Sequence, residues 1–212
     1  MTVLLTGGAG YIGSHTAVEL LNAGHDVVIA DNYANSNPIV ARRITQITGK
    51  PVKCYEADVA DPAALERLFQ ENAIDSVIHF AGLKAVGESV RLPLDYYRNN
   101  LDSTLALLAA MEAHGVRQLI FSSSATVYGK HAALPYREDA ETGPCTNPYG
   151  WTKLFIEQIL RDYAAAHPDF SAVLLRYFNP VGAHESGLMG EDPRDIPNNL
   201  MPYICLLYTS DA

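Results

Sequence analysis

Leu4-Leu5-Thr6-Gly7-Gly8-Ala9-Gly10-Tyr11-Ile12-Gly13 is the stretch that decides the fold of this chain. Val3, Leu4 and Leu5 form a short apolar run, the pattern of a strand buried on both faces, and Thr16 to Leu21 then carries apolar residues at helical spacing. The glycines between them predict a tight turn. Without a Cβ they admit positive φ, let backbone approach a ligand and let helix and strand pack closely, while the helix N-terminus offers N–H groups to a pyrophosphate. Gly8, Gly10 and Gly13 fit G-x-G-x-x-G, and Gly7, Gly10 and Gly13 fit a wider-spaced variant.

Glycine-rich turns arise often by chance, so a dinucleotide cradle also requires an acid at the end of the next strand. Val27-Val28-Ile29-Ala30 ends in Asp31, close to the offset of roughly 20 residues at which a carboxylate meets an adenosine ribose. The competing reading is that Asp31 caps the loop after it. Glycines and acid together predict an α/β fold, a Rossmann-like doubly wound parallel sheet.

Composition sets outer limits. With 212 residues, 48% hydrophobic and 18% charged, the chain has the make-up of one large globular domain, or of a domain and a fragment. Its formal charge of -9 and lack of a basic run disfavour nucleic acids and anionic membranes as partners. Cys54, Cys145 and Cys205 lie far apart with no C-x-x-C, so neither a disulfide framework nor a metal site is expected, and reduced thiols fit the cytoplasm. The chain shows no pattern of an export signal and no run of about 20 apolar residues.

Further along, a turn-rich loop over 31–38 precedes a helix from Ile39 to Ile47 and a strand from Val52 to Glu56. Asp58 stands at the end of that third strand, where a carboxylate could accept from an adenine amino group; Asp61 is the better N-cap for the helix Pro62 to Gln70. Asp75 to Gly82 is a fourth strand and its exit. His79, inside it, reads as a packed core residue. Leu83 to Arg91 is expected to be a loop carrying Lys84, and Pro93 to His114 a long helix containing Asn99 and Asn100. Such amides usually solvate or pack helices, unless they face the cofactor loops.

Gln118 to Ser124 is a fifth strand ending in three hydroxyls, at the carboxyl edge where open α/β sheets bind ligands. Ser124 is the leading candidate. No G-x-S-x-G elbow surrounds it, which argues against acyl chemistry. Asn147 and Pro148 then look like an N-cap and first helical position, placing Tyr149 and Lys153 four apart on one helix face. An ammonium beside a phenol favours the phenolate, bringing a group that titrates near 10 toward the working range of a base. The bland alternative, a surface pair, loses weight beside the cradle, the ribose acid and Ser124. Ala172 to Asn179 is a sixth strand, followed by loop as far as Pro202.

Thr6 to Gly13, the Ser122-Ser123-Ser124 strand end and Tyr149 with Lys153 resemble the extended branch of the short-chain dehydrogenase/reductase superfamily. Phe80 to Ser89, Ser122 to Gly129, Leu175 to His184 and Asn198 to Tyr203 are similar to its UDP-hexose 4-epimerases. The resemblance implies tightly held NAD. Gly7, Gly10, Tyr11, Ile12 and Gly13 would hold its pyrophosphate, Asp31 and Asn32 the adenosine ribose, and Asp58 and Val59 the adenine. Phe80, Ala81, Gly82, Lys84 and Asn99 would line the dinucleotide, with Tyr149, Lys153 and Tyr177 around the nicotinamide. Tyr149 would be the base and Ser124 would bind the sugar 4-hydroxyl; Lys84, Phe178, Asn179, Asn199 and Leu200 would touch the UDP-sugar. Dehydratase relatives usually have Thr-Asp-Glu where this chain has Ser124-Ala125-Thr126, so epimerisation is the expected reaction. Another nucleotide-sugar enzyme of the superfamily, or an NAD-binding fragment without turnover, are the alternatives.

The resemblance stops near Ile204. The expected organisation is therefore an NAD-binding domain over 1–180, the start of a substrate-binding lobe over 181–204, and a truncated or non-native tail over 205–212. Such a lobe would carry most uridine and diphosphate contacts and a late strand of the sheet. A homodimer is expected only of the full-length protein.

Overall fold

Apolar runs of strand length alternate with longer helical segments along the chain, and parallel strands need such crossover helices to return to the same edge. The computed structural model, which describes residues 1–193 and 199–210, has this arrangement. Its elements in order are β1 (Thr2–Thr6), α1 (Tyr11–Asn22), β2 (Asp26–Asp31), α2 (Ile39–Thr48), β3 (Lys53–Glu56), α3 (Pro62–Glu71) and β4 (Ser76–His79). There follow α4 (Val86–Arg91), α5 (Pro93–Ala113), β5 (Gln118–Ser124), a short 3₁₀ turn (Ala125–Tyr128), α6 (Pro148–Ala166), β6 (Ser171–Tyr177) and α7 (Leu200–Ser210). All pairings are parallel, in the order β3-β2-β1-β4-β5-β6. The order reverses between β1 and β4, and that switch point opens a crevice at the carboxyl edge.

Two apolar layers sandwich the sheet. Leu4, Val28, Val77, Leu119 and Phe121 pack with Leu65, Leu68, Leu107, Met111, Ile156 and Leu160 from α3, α5 and α6. On the other face Val3, Leu5, Val27, Ile29 and Ile78 meet Ala17, Val18, Leu21 and Ile44 from α1 and α2. That second layer stops short of β6, where Val173 and Leu175 remain 48% and 36% exposed.

Local signals behave as their chemistry requires. The Asp61 carboxylate accepts from Ala63 N at 2.9 Å and Pro62 opens α3, while Asn147 Oδ1 accepts from Gly150 N at 2.8 Å ahead of Pro148. The expected loop over Leu83 to Arg91 is corrected: Val86–Arg91 forms α4. Tertiary contacts decide this, because the buried Tyr96 donates its hydroxyl to Glu88 at 2.7 Å and accepts from Ala85 N at 3.0 Å, holding both ends of a turn with weak local propensity. Helix α7 begins at Leu200 and runs across the expected 204/205 boundary. Asn198 of the quoted similarity, and residues 211 and 212 of the tail, lie outside the described residues. Among the described residues no helix is long and apolar enough to cross a membrane.

Candidate active site

The glycine turn sits in the crevice between the ends of β1 and β4. Gly7 has φ +67°, and a Cβ there would lie 2.6 Å from Ala81 N, so both conformation and space demand glycine. At Gly13 a Cβ would come within 2.7 Å of Gly7 O and Gly8 Cα, which seats α1 directly on the turn. Gly10 is the N-cap of α1, and no side chain caps that helix. Its first-turn N–H groups therefore face the crevice without a side-chain acceptor, which suits a pyrophosphate.

Asp31 is 7% exposed and makes the contacts of a loop cap. Its Oδ1 accepts from Tyr33 N at 2.9 Å and Ser36 Oγ at 2.8 Å, capping the loop, while Oδ2 accepts from Ala9 N at 2.9 Å across the glycine turn. Asn32 and Asp58 are exposed; each accepts from a backbone N–H two residues on, Ala34 and Ala60 respectively. Val59 is buried beside Asp58. Phe80, Ala81 and Gly82 form the β4 exit against Gly7.

Helix α6 places its functional side chains along the end of β5. Tyr149 is partly buried and shares a hydrogen bond with Ser124, whose Oγ also accepts from Thr126 N at 3.2 Å. Lys153, 5% exposed, donates to Ser122 O at 2.7 Å and lies 4.7 Å from the Phe121 ring centroid and 5.8 Å from that of Tyr149. Tyr177 of β6 stands in register with Ser124.

The electrostatics amend the sequence expectation that Lys153 brings the phenol down. Burial raises the Tyr149 pKa above its ordinary value, and the Ser124 hydrogen bond opposes that rise. Lys153 is itself pulled down to about 8 by burial. Its ammonium is spent on the Ser122 carbonyl, and the phenol loses more from desolvation than it gains nearby. His79 is structural as expected: its ring joins Thr6 Oγ1 at 2.6 Å and Thr104 Oγ1 at 3.1 Å, and burial, with the Lys153 charge, lowers it to about 3.

The remaining candidates divide into two groups. Lys84 pairs with Glu191 at 3.5 Å, and Asn199 donates to the same carboxylate at 2.6 Å, so these two converge. Phe178, at 67% exposed, stacks on Tyr136, and Asn179 and Leu200 are exposed. Sequence reasoning named Asn99 and Asn100 together but carried only Asn99 to the site, and it passed over Glu191 and Glu157. Asn100, rather than Asn99, clamps the β4 exit: its amide bonds both backbone groups of Leu83 and Thr152 Oγ1, whereas Asn99 only donates to Asn100 Oδ1. Glu191 gave no signal beyond its charge. Glu157, wholly buried, continues the Tyr149, Lys153 spacing by one further turn, which was a legible signal.

The NAD dependent epimerase/dehydratase family model matches residues 3–205. The UDP-glucose 4-epimerase of Haemophilus influenzae is 62% identical over 204 residues, covering 96% of this chain and 60% of that protein. Its Mus musculus counterpart is 58% identical over 208 residues, covering 95% of this chain and 60% of that protein. The crystal structure of UDP-glucose 4-epimerase from Bifidobacterium longum, in complex with NAD+ and UDP, superposes with a TM-score of 0.97 at 61% identity, over 100% of this chain and 63% of the other. The chain thus spans about 60% of the length of the curated relatives it matches.

Proposed function

Because the chain belongs to the NAD dependent epimerase/dehydratase family, we propose that it forms the cofactor-binding and catalytic part of a UDP-hexose 4-epimerase interconverting UDP-glucose and UDP-galactose. The observation that carries the reading is the contact of Tyr149 with Ser124 beside buried Lys153, on the carboxyl edge that also holds the glycine cradle. Bound there, NAD would accept the hydride from sugar C4 and return it. The Gly7 to Gly13 turn and the open end of α1 hold the pyrophosphate; Asp31 and Asn32 serve the ribose, and Asp58 with Val59 the adenine.

Tyr149 takes the proton of the 4-hydroxyl as the C4 hydride leaves, and gives it back when hydride returns to the opposite face of the turned 4-keto sugar. The sugar ends inverted at C4, with no net oxidation. Ser124 orients the 4-hydroxyl and shares the proton's path, and its hydrogen bond eases ionisation of the phenol. Lys153, held by the Ser122 carbonyl, favours the phenolate once formed. Lys84, Phe178, Asn179, Asn199 and Leu200 receive the UDP-sugar, residues 1–180 form the NAD-binding unit, and 181–204 begin the substrate lobe. Ala125 and Thr126 place no carboxylate after Ser124, which favours epimerisation over water elimination. The free thiols of Cys54 and Cys145 are compatible with a cytoplasmic enzyme.

The test supplies UDP-galactose to the purified chain, and to a version extended with the carboxyl-terminal part of a relative, and follows UDP-glucose. Turnover by either supports the reading; failure of both sinks it. Tyr149→Phe should lower kcat about 10²–10⁴-fold with NAD retained. Unchanged turnover would remove Tyr149 as the base.

A further inference from the structure

Glu157 is a carboxylate with no exposed surface, two helical turns from Tyr149, and it touches neither Tyr149 nor Ser124. Burying such a charge is costly unless every oxygen is paired. All the pairing is present. Oε1 accepts from Ser123 Oγ at 2.6 Å and Arg176 Nε at 3.0 Å; Oε2 accepts from Arg176 Nη2 and from Arg161 Nη2, each at 2.8 Å. Arg176 is itself fixed, donating to Glu138 O at 3.3 Å and lying 4.8 Å from the Tyr128 ring centroid. Burial alone would raise the Glu157 pKa, but the hydrogen bonds from Arg176 and Ser123 and the two guanidinium charges hold it below the ordinary value, so it stays ionised.

The geometry has a direction. Ser123 and Arg176 are register partners on β5 and β6, so a single carboxylate brackets two strands to one helix. Tyr149, Lys153 and Glu157 are successive rungs of one face of α6, and they meet Ser124, the Ser122 carbonyl and the Ser123 hydroxyl respectively. Resting on the reading of Tyr149 as the base, we propose that Glu157 is a positioning residue: pinned by Arg176 and bonded to Ser123, it sets where the end of β5 lies against α6 and so keeps Ser124 in reach of the Tyr149 phenol. An apolar residue could fill the same space and hold the layers together, but it could not fix the strand end along its own axis, which a directional bond does.

The test uses Ser123→Ala, which deletes the bond between strand and carboxylate and leaves the Glu157–Arg176 pair whole. Phenolate absorbance is followed against pH, with the Tyr149→Phe variant subtracted to isolate that one group. Slackening of the Ser124 hydrogen bond removes a contact that favours the phenolate, so the Tyr149 titration should move upward by about one pH unit. In the form that turns over UDP-galactose, kcat should fall about tenfold with KM unchanged within about threefold. Glu157→Gln should do the same if it folds, and Arg161→Ala, which touches only the outer oxygen, should not. A Ser123→Ala chain with an unmoved Tyr149 titration overturns the proposal, as does an Arg161→Ala variant that shifts the titration equally, because charge rather than placement would then be responsible. Absence of turnover in the unaltered protein counts against the epimerase reading alone, since the phenol titration needs no substrate.

Discussion

The β1–β2–β4 half of the sheet and the β5–β6 half both reach the carboxyl edge, yet they are built on opposite terms. The first half presents backbone: its strands are buried on both faces, its turn is glycine, and the polar groups at its carboxyl edge are N–H donors and one acid. The second half presents side chains. It buries Lys153 and Glu157 beneath three serines, while β6 alternates partly buried and exposed residues and leaves Val173 and Leu175 open. Recognition through backbone requires close approach and therefore no Cβ; proton transfer requires side-chain groups, and their charges must be paid for by a network. Among the described residues, the apolar residues of β6 also read as one face of a sheet with a single layer packed on it, beside a groove lined by Leu20, Ile78 and Ile120.

The contrast is most exposed at Gly7. Gly7→Ala combines a left-handed backbone with a Cβ driven into the Ala81 amide, and should cost about 2–6 kcal/mol. Urea unfolding would measure it, and a loss below about 1 kcal/mol would show that the turn can re-form elsewhere. Packing gives the second comparison. Leu5→Ala, at 0% exposure, should cost about 2–5 kcal/mol, whereas Val173→Ala should cost less than about 1 kcal/mol. Equal losses would mean that the open face of β6 is covered in solution.

Buried charge gives the third. Lys153 titrates at about 8 in the fold and at its ordinary 10.5 when unfolded, so between those values the unfolded chain holds the extra proton. Stability should therefore rise with pH across that window. Measured as the difference from Lys153→Met, the gain should approach about 3 kcal/mol, and a flat difference would mean that the ammonium is better solvated than its burial implies.

Much of the fold was legible because its determinants are local. The apolar runs placed six strands, Asp61 and Asn147 announced helix starts, and the glycine spacing located the turn between β1 and α1. The Tyr149, Lys153 pair was legible for the same reason, since four residues make one helical step. Helix α4 was not, because Tyr96 holds it from another element. Nor was the clamp by Asn100, whose partners lie on the β4 exit and on α6.

By itself, then, the amino-acid order determined which residues could do chemistry and on which kind of element each would stand, because helix and strand periods are properties of short segments. Only the tertiary structure decided how those residues are tuned. It raised the Tyr149 phenol where spacing alone suggested the reverse, turned the Lys153 ammonium toward Ser122, and brought Glu157, Ser123 and Arg176 together from three separate elements. Desolvation and hydrogen bonding depend on what surrounds a group in space, and no spacing along the chain carries that information.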